Sequence, residues 1–213
     1  MNKIQVKNVI EIYRNNIKII FFYISVTTIP ILFIYQMLVN VAVDPFLYFG
    51  NSLWASIIRS YFMFLFFLVL MIPFISITKF YLNNEETTIQ RTFSDLIYLF
   101  PVYTVGVYVS LVVTLGYLLF IIPGLIISVL MVGISCAAVI DNKKWWKGIK
   151  ISFKFGKSNF TKLLIWLITF TIIDFMVSVP AYYIGLSITP YSIGAQLLML
   201  LFHSILIPII AIA

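Results

Sequence analysis

The chain has 213 residues, 62% of them hydrophobic and only 10% charged, with a formal net charge of +7. Soluble domains carry about 25% charged residues, so this composition excludes an ordinary soluble protein and leaves no room for a separate soluble domain. A single cysteine and a single histidine exclude a disulfide framework and CxxC metal sites.

Residues 1–18 form a basic segment containing Lys3, Lys7, Arg14 and Lys18. The apolar run behind it is too long for a signal-peptide core and lacks a small-residue cleavage site, so it reads as a retained first span over 19–41. A second span is expected over 55–79. Residues 96–140 then contain no Lys, Arg, Asp, Glu or His. That stretch is about twice the ~20 residues that cross a bilayer, so it divides into spans 96–119 and 124–140, folded back at a turn made by Pro123 and Gly124. A lysine-rich segment, 141–162, precedes spans 163–185 and 195–213. The expected fold is all-α: one polytopic membrane domain over 1–213, with six transmembrane helices and short interfacial amphipathic helices.

Charge sets the orientation. Of the 14 basic residues, all but Arg59 fall before span one, in the second connection (Lys79, Arg91) or in segment 141–162. The positive-inside rule makes that side cytoplasmic and puts both termini there, in a multi-pass protein of a cell membrane. The basic excess is a consequence of topology, so no nucleic-acid partner is implied. The outer connections are short and carry only Asp44, which argues against a receptor for a large extracellular ligand.

Within 141–162, Lys143, Lys147, Lys150, Lys154 and Lys157 step by four and three, placing them on one stripe of a helix. Trp146, Ile149 and Phe153 repeat on another face, with Trp145 and Lys144 adjacent. Such a helix would lie in the headgroup plane, aromatics down and lysines toward anionic phosphates, each lysine contributing about 1 kcal/mol. The segment reads either as a docking surface for lipid headgroups or a membrane-protein partner, or as an orientation signal and interfacial anchor. Ile149, Ile151, Phe153 and Phe155 also alternate with the period of a strand, but an isolated strand there would leave its backbone unpaired. The segments before spans one and three resemble this one weakly, which suggests three units, each a short interfacial segment followed by a hairpin of two spans.

A family resemblance is carried by Gly116-Tyr117-Leu118-Leu119-Phe120-Ile121-Ile122-Pro123-Gly124, followed by Gly148-Ile149-Lys150-Ile151-Ser152-Phe153 and Lys157-Ser158-Asn159-Phe160. Over 88–164 the chain resembles a bacterial group of six-span proteins. That group includes the membrane domain preceding some glycerophosphodiester phosphodiesterases, and the YciC-like proteins. Ile122-Pro123-Gly124, Ser152, Asn159 and Phe160 match the group's pattern, whereas Gly148 and Ser158 replace its usual Ala and Gly. The resemblance implies six helices in a bacterial plasma membrane. It transfers no enzyme, because the phosphodiesterase catalytic domain has no counterpart here.

Arg59, Asp174 and His203 lie within expected spans. Asp174 is ~16 Å deep at 1.5 Å per residue, near the midplane, and His203 is at a comparable depth. Arg59 enters span two near the outer interface, where a long side chain can snorkel. Charge in lipid is costly, so Asp174 and His203 are expected to find each other, with Arg59 as a third member. The pair reads either as a proton or substrate relay or as an interhelical hydrogen bond that fixes packing. Pro30, Pro73, Pro101, Pro180 and Pro208 fall within spans, where proline can kink a helix and line a cavity or hinge but is routinely tolerated.

No HExxH, GxSxG, P-loop or dinucleotide glycine pattern occurs, so no catalytic residue, cofactor or metal is expected. The function read from these features is a non-enzymatic scaffold or accessory protein acting through lipid or partner contacts, homo-oligomers included. The alternative is a transporter or its membrane subunit (peptide export or immunity included) using Asp174 and His203.

Overall fold

The computed structural model describes the backbone of residues 3–188 and 192–212, and side chains over 9–187, 195–196 and 198–212. The side chains of Lys3 and Lys7, and the last residue of the sixth expected span, Ala213, lie outside the described residues. The described chain is helical and contains no strand, so the strand alternative for the lysine segment is overturned.

The helices in chain order are α1 (Lys3–Asn15), α2 (Ile17–Tyr23), α3 (Ile29–Tyr48), α4 (Ser52–Leu70), α5 (Ile72–Leu82), α6 (Ile89–Ser94), α7 (Leu99–Leu119), α8 (Ile121–Met131), α9 (Ile134–Val139), α10 (Trp145–Ser158), α11 (Phe160–Ile188) and α12 (Ser192–Ile212). Among the described residues, five continuous units are long and apolar enough to cross a membrane: Ile17–Tyr48, Ser52–Leu82, Ile89–Leu119, Ile121–Val139 and Phe160–Ser187. Over its described side chains, the apolar part of α12 is shorter, Leu198–Ile212.

Proline explains most of the breaks inside these units. Pro30 is the second residue of α3, and a π-helical turn (Ile24–Thr28) precedes it. Pro73 is the second residue of α5, after the break at Met71. Pro101 and Pro123 are each the third residue of their helices. A first helical turn has no intrahelical acceptor for its N–H groups, so proline costs little there. Near the π turn, Ser25 and Thr27 donate their hydroxyls to the carbonyls of Phe21 and Tyr23, at 3.0 and 2.7 Å. Pro45, Pro180 and Pro208 sit inside helices.

The same point corrects the expected turn at Pro123-Gly124. The chain folds back at Phe120, which is extended (φ −159°, ψ 149°), and both Pro123 and Gly124 belong to the first turn of α8. Gly124 has another task. A Cβ there would collide with Tyr117, and one on Gly116 would stand 2.9 Å from the Gly124 Cα. The two glycines let α7 and α8 approach backbone to backbone, as small residues do between membrane helices.

The core lies around α5, whose residues Ile72 to Ile77 are all buried. One cluster joins α4 and α5 to α7 and α9 through Leu68, Ile75, Val105 and Ile134. Another joins α5 to α2, α3 and α12 through Phe74, Ile20, Leu32 and Ile207. Among the described residues, no member of these clusters comes from α11. That helix packs mainly along α12, where Gly185 lies against the Ala195 backbone, with smaller contacts to α8 and α10, and much of its surface is exposed.

Short helices precede three hairpins: α1 before α2–α5, α6 before α7–α9, and α10 before α11–α12. Side-chain hydrogen bonds tie neighbouring units together beside them. The Tyr23 hydroxyl hydrogen-bonds the Thr92 hydroxyl at 2.7 Å, tying α2 to α6. The Tyr98 hydroxyl donates to Asn142 Oδ1 at 2.9 Å, tying the start of α7 to the loop before α10.

Candidate functional site

α10 is where the chain concentrates charge. It runs as a helix of 14 residues, and its buried positions are Gly148, Ser152 and Gly156, one every fourth residue. That small-residue stripe docks α10 on α8 and α9. The Ser152 hydroxyl donates to the Leu130 carbonyl at 3.0 Å. A Cβ on Gly156 would stand 2.6 Å from the Leu130 Cα, and Ile149 packs against the α5–α7 cluster.

The face packed on the protein is this small-residue stripe, and the aromatics lie outside it. Trp146 is 71% exposed, and Trp145, Phe153 and Phe155 are also exposed. Lys143, Lys147, Lys150, Lys154 and Lys157 are exposed as well. On the helical wheel the lysine stripe runs between two apolar borders, Trp146 with Phe153 on one side and Ile151 with Phe155 on the other. A face given over to small residues leaves aromatics and lysines together on the outside.

Lys144 stands apart from this stripe. Its ammonium lies 4.9 Å from the Tyr98 ring centroid, a cation–π contact, and it pins the helix start. Asn142 and Trp145 have positive φ (52° and 57°), an uncommon conformation for such residues. Among the described residues, the exposed lysines of 143–157 form no ion pair.

Asp174 and His203 come together as their depths suggested. His203 Nε2 is 3.1 Å from Asp174 Oδ1, and His203 Nδ1 is 2.7 Å from the Met199 carbonyl, one turn back on α12. Ser178 donates to the same Asp174 oxygen at 3.4 Å. Both ring nitrogens are engaged, which fixes the imidazole plane between α11 and α12. The side chains remain 35% (Asp174) and 32% (His203) exposed.

Arg59 does not join them. Its side chain is exposed on α4, and among the described residues it makes no hydrogen bond or ion pair with either.

One polar cluster was not anticipated. Asp95, 6% exposed, accepts from the Ser76 hydroxyl at 2.7 Å and from Lys79 Nζ at 3.1 and 3.2 Å. This clamp joins the end of α6 to α5. Lys79 and Asp95 each border an apolar run and are 16 residues apart, so in sequence they look like independent flanking charges. The stripe at 148, 152 and 156 did carry a signal, the spacing of small residues that mediates close helix packing.

Among the described residues, no group of His, Cys, Asp and Glu has the arrangement of a metal site. The chain matches no family model, no curated protein and no solved structure.

Proposed function

We propose that this chain is a non-enzymatic scaffold or accessory protein of a cell membrane, threaded six times with both termini cytoplasmic, that holds anionic lipid headgroups on α10. On the resemblance over 88–164, the membrane is a bacterial plasma membrane. The observation that carries the reading is the rigid seating of α10. Its small-residue face is pinned to α8 by Ser152 and Gly156, while Lys147, Lys150, Lys154 and Lys157 stand exposed beside exposed aromatics. An orientation signal needs basic residues near a span. It does not need them docked as a rigid surface, and docking removes the backbone entropy that a headgroup would otherwise have to freeze. Each lysine contributes about 1 kcal/mol near an anionic surface, so headgroups beside the stripe are expected to be several-fold enriched in anionic lipid.

The test is reconstitution in nanodiscs assembled from a phosphatidylcholine and phosphatidylglycerol mixture. The wild-type chain is expected to enrich the anionic lipid above the input ratio. A variant carrying Gln at 147, 150, 154 and 157 is expected to return it to the input. Equal lipid ratios for both proteins contradict the reading.

A transport reading has one observation in its favour, the partial exposure of the Asp174–His203 pair. The double engagement of the imidazole favours a packing role. Proton-coupled flux in proteoliposomes that disappears in Asp174→Asn is the result that would establish transport.

A further inference from the structure

Beside the lysine stripe lies an open groove of about 480 Å³, lined by Asp141, Lys143, Ile151, Lys154, Phe155 and Ser158. One wall is a single stripe of α10, since residues 151, 154, 155 and 158 follow the i, i+3, i+4, i+7 spacing. The other wall is the loop that carries Asp141 and Lys143.

Both walls are fixed. The Lys143 N–H donates to the Ala137 carbonyl at 3.0 Å, and the Lys143 carbonyl oxygen is so near Gly148 that a Cβ there would stand 2.8 Å from it. Asn142, between the two charged residues, is held by the Tyr98 hydroxyl. On the helix side, Phe155 touches the space above Gly133 yet remains exposed, so it presents an apolar surface in a set position. The Ser158 hydroxyl donates to the Phe155 carbonyl at 2.9 Å and accepts from Asn159 Nδ2 at 3.0 Å, which holds it in place on this wall.

The chemistry of this lining is specific. Two ammonium groups and one carboxylate give the groove a net charge of +1. That matches one phosphodiester and exceeds what a zwitterionic headgroup needs. The ammonium groups suit phosphate oxygens, the Asp141 carboxylate suits a headgroup hydroxyl donor, and Ile151 with Phe155 suits the start of an acyl chain.

We infer that this groove is a discrete site for one anionic phosphoglyceride with a hydroxyl-bearing headgroup. The phosphate lies between Lys143 and Lys154, a headgroup hydroxyl lies against Asp141, and an acyl chain crosses Phe155. The inference rests on the headgroup reading of α10 and adds a position, a stoichiometry and a headgroup class to it. The lysines outside the groove, Lys147, Lys150 and Lys157, then enrich anionic lipid without holding a particular molecule.

Native mass spectrometry of the detergent-solubilised full chain, titrated with phosphatidylglycerol and separately with phosphatidylcholine, tests it. The wild-type chain is expected to retain one phosphatidylglycerol tightly and to bind further copies weakly. Substituting Lys143→Gln with Lys154→Gln is expected to weaken the tight event roughly tenfold or more. Substituting Lys147→Gln with Lys157→Gln is expected to leave it within about twofold and to reduce only the weak events. Asp141→Asn is expected to narrow the preference for phosphatidylglycerol over phosphatidic acid, which lacks the headgroup hydroxyls. Unchanged melting curves establish that the variants fold.

Equal weakening by the two lysine pairs overturns the discrete site and leaves the headgroup reading standing. Retention that survives both pairs, and the quadruple variant at 147, 150, 154 and 157, overturns both. A wild-type chain that binds phosphatidylcholine as tightly as phosphatidylglycerol also overturns the site.

Discussion

Gly156 of α10 lies against Leu130 of α8 so closely that a Cβ would stand 2.6 Å from the Leu130 Cα and 2.9 Å from its carbonyl oxygen. Both atoms are backbone, so neither can swing aside. Gly156→Ala is therefore expected to destabilise the chain by about 1–3 kcal/mol, the range for overpacking a close contact. Thermal unfolding in detergent measures this, with Lys157→Ala as the exposed neighbour that leaves the midpoint in place. A Gly156→Ala midpoint equal to wild type would mean that α10 is not seated on α8.

Asp95 and Lys79 make the second structural prediction. Asp95→Ala strands the Lys79 ammonium and removes the acceptor of the Ser76 hydroxyl. Breaking a fully buried pair costs about 3–5 kcal/mol. Lys79 keeps 23% of its side chain exposed, so the expected loss is lower, about 2 kcal/mol after allowance for solvent screening. Adding Lys79→Met to Asp95→Ala is expected to recover part of that loss, because the unpaired charge is then gone. A double variant showing the full sum of the two single losses would deny the coupling.

The Asp174–His203 contact gives the third. If it serves packing, Asp174→Asn keeps an acceptor for His203 Nε2 and stays folded with normal expression. Asp174→Leu is expected to cost about 0.6–1.7 kcal/mol, from the average to the maximum measured for hydrogen bonds between membrane helices. Chemical unfolding of both variants decides it. A severe loss of expression in Asp174→Asn would mean that the negative charge itself holds α11 to α12.

Much of the fold was legible because the bilayer allows few solutions. An uncharged stretch of 45 residues over 96–140 must cross twice, and α7 with α8–α9 does have the length for two crossings. The fold-back was misplaced by three residues because proline and glycine mark two different things. They break helices, but they also sit comfortably in a first helical turn, as Pro123 and Gly124 do here. The lysine stripe was legible as a helical period. The face it packs on the protein was not read from the sequence, because beside lipid small residues, rather than bulky apolar ones, mark helix contact. Asp174 and His203 were found because each is conspicuous in its span. Lys79 and Asp95 escaped notice because charges at span ends are ordinary, and only the return of α6 toward α5 joins them.

The threading gives a fourth prediction. In a Cys136→Ala background, Asn51→Cys in the α3–α4 connection is expected to react with a membrane-impermeant maleimide on intact cells. Lys157→Cys is expected to react only after permeabilisation. Labelling of Lys157→Cys on intact cells would invert the proposed orientation.

The central claim is that α10 lies at the headgroup level with its exposed aromatics among anionic lipids. The most direct measurement is tryptophan quenching in a chain that keeps Trp146 alone, with Trp54, Trp145 and Trp166 replaced by Phe. Vesicles contain a small fraction of lipid brominated near the headgroup, either phosphatidylglycerol or phosphatidylcholine. The account predicts strong quenching of Trp146, deeper with the brominated anionic lipid than with the zwitterionic one. That difference is expected to disappear when Lys147, Lys150, Lys154 and Lys157 are changed to Gln. Equal quenching by the two lipids in the wild-type surface, or none by either, would contradict it.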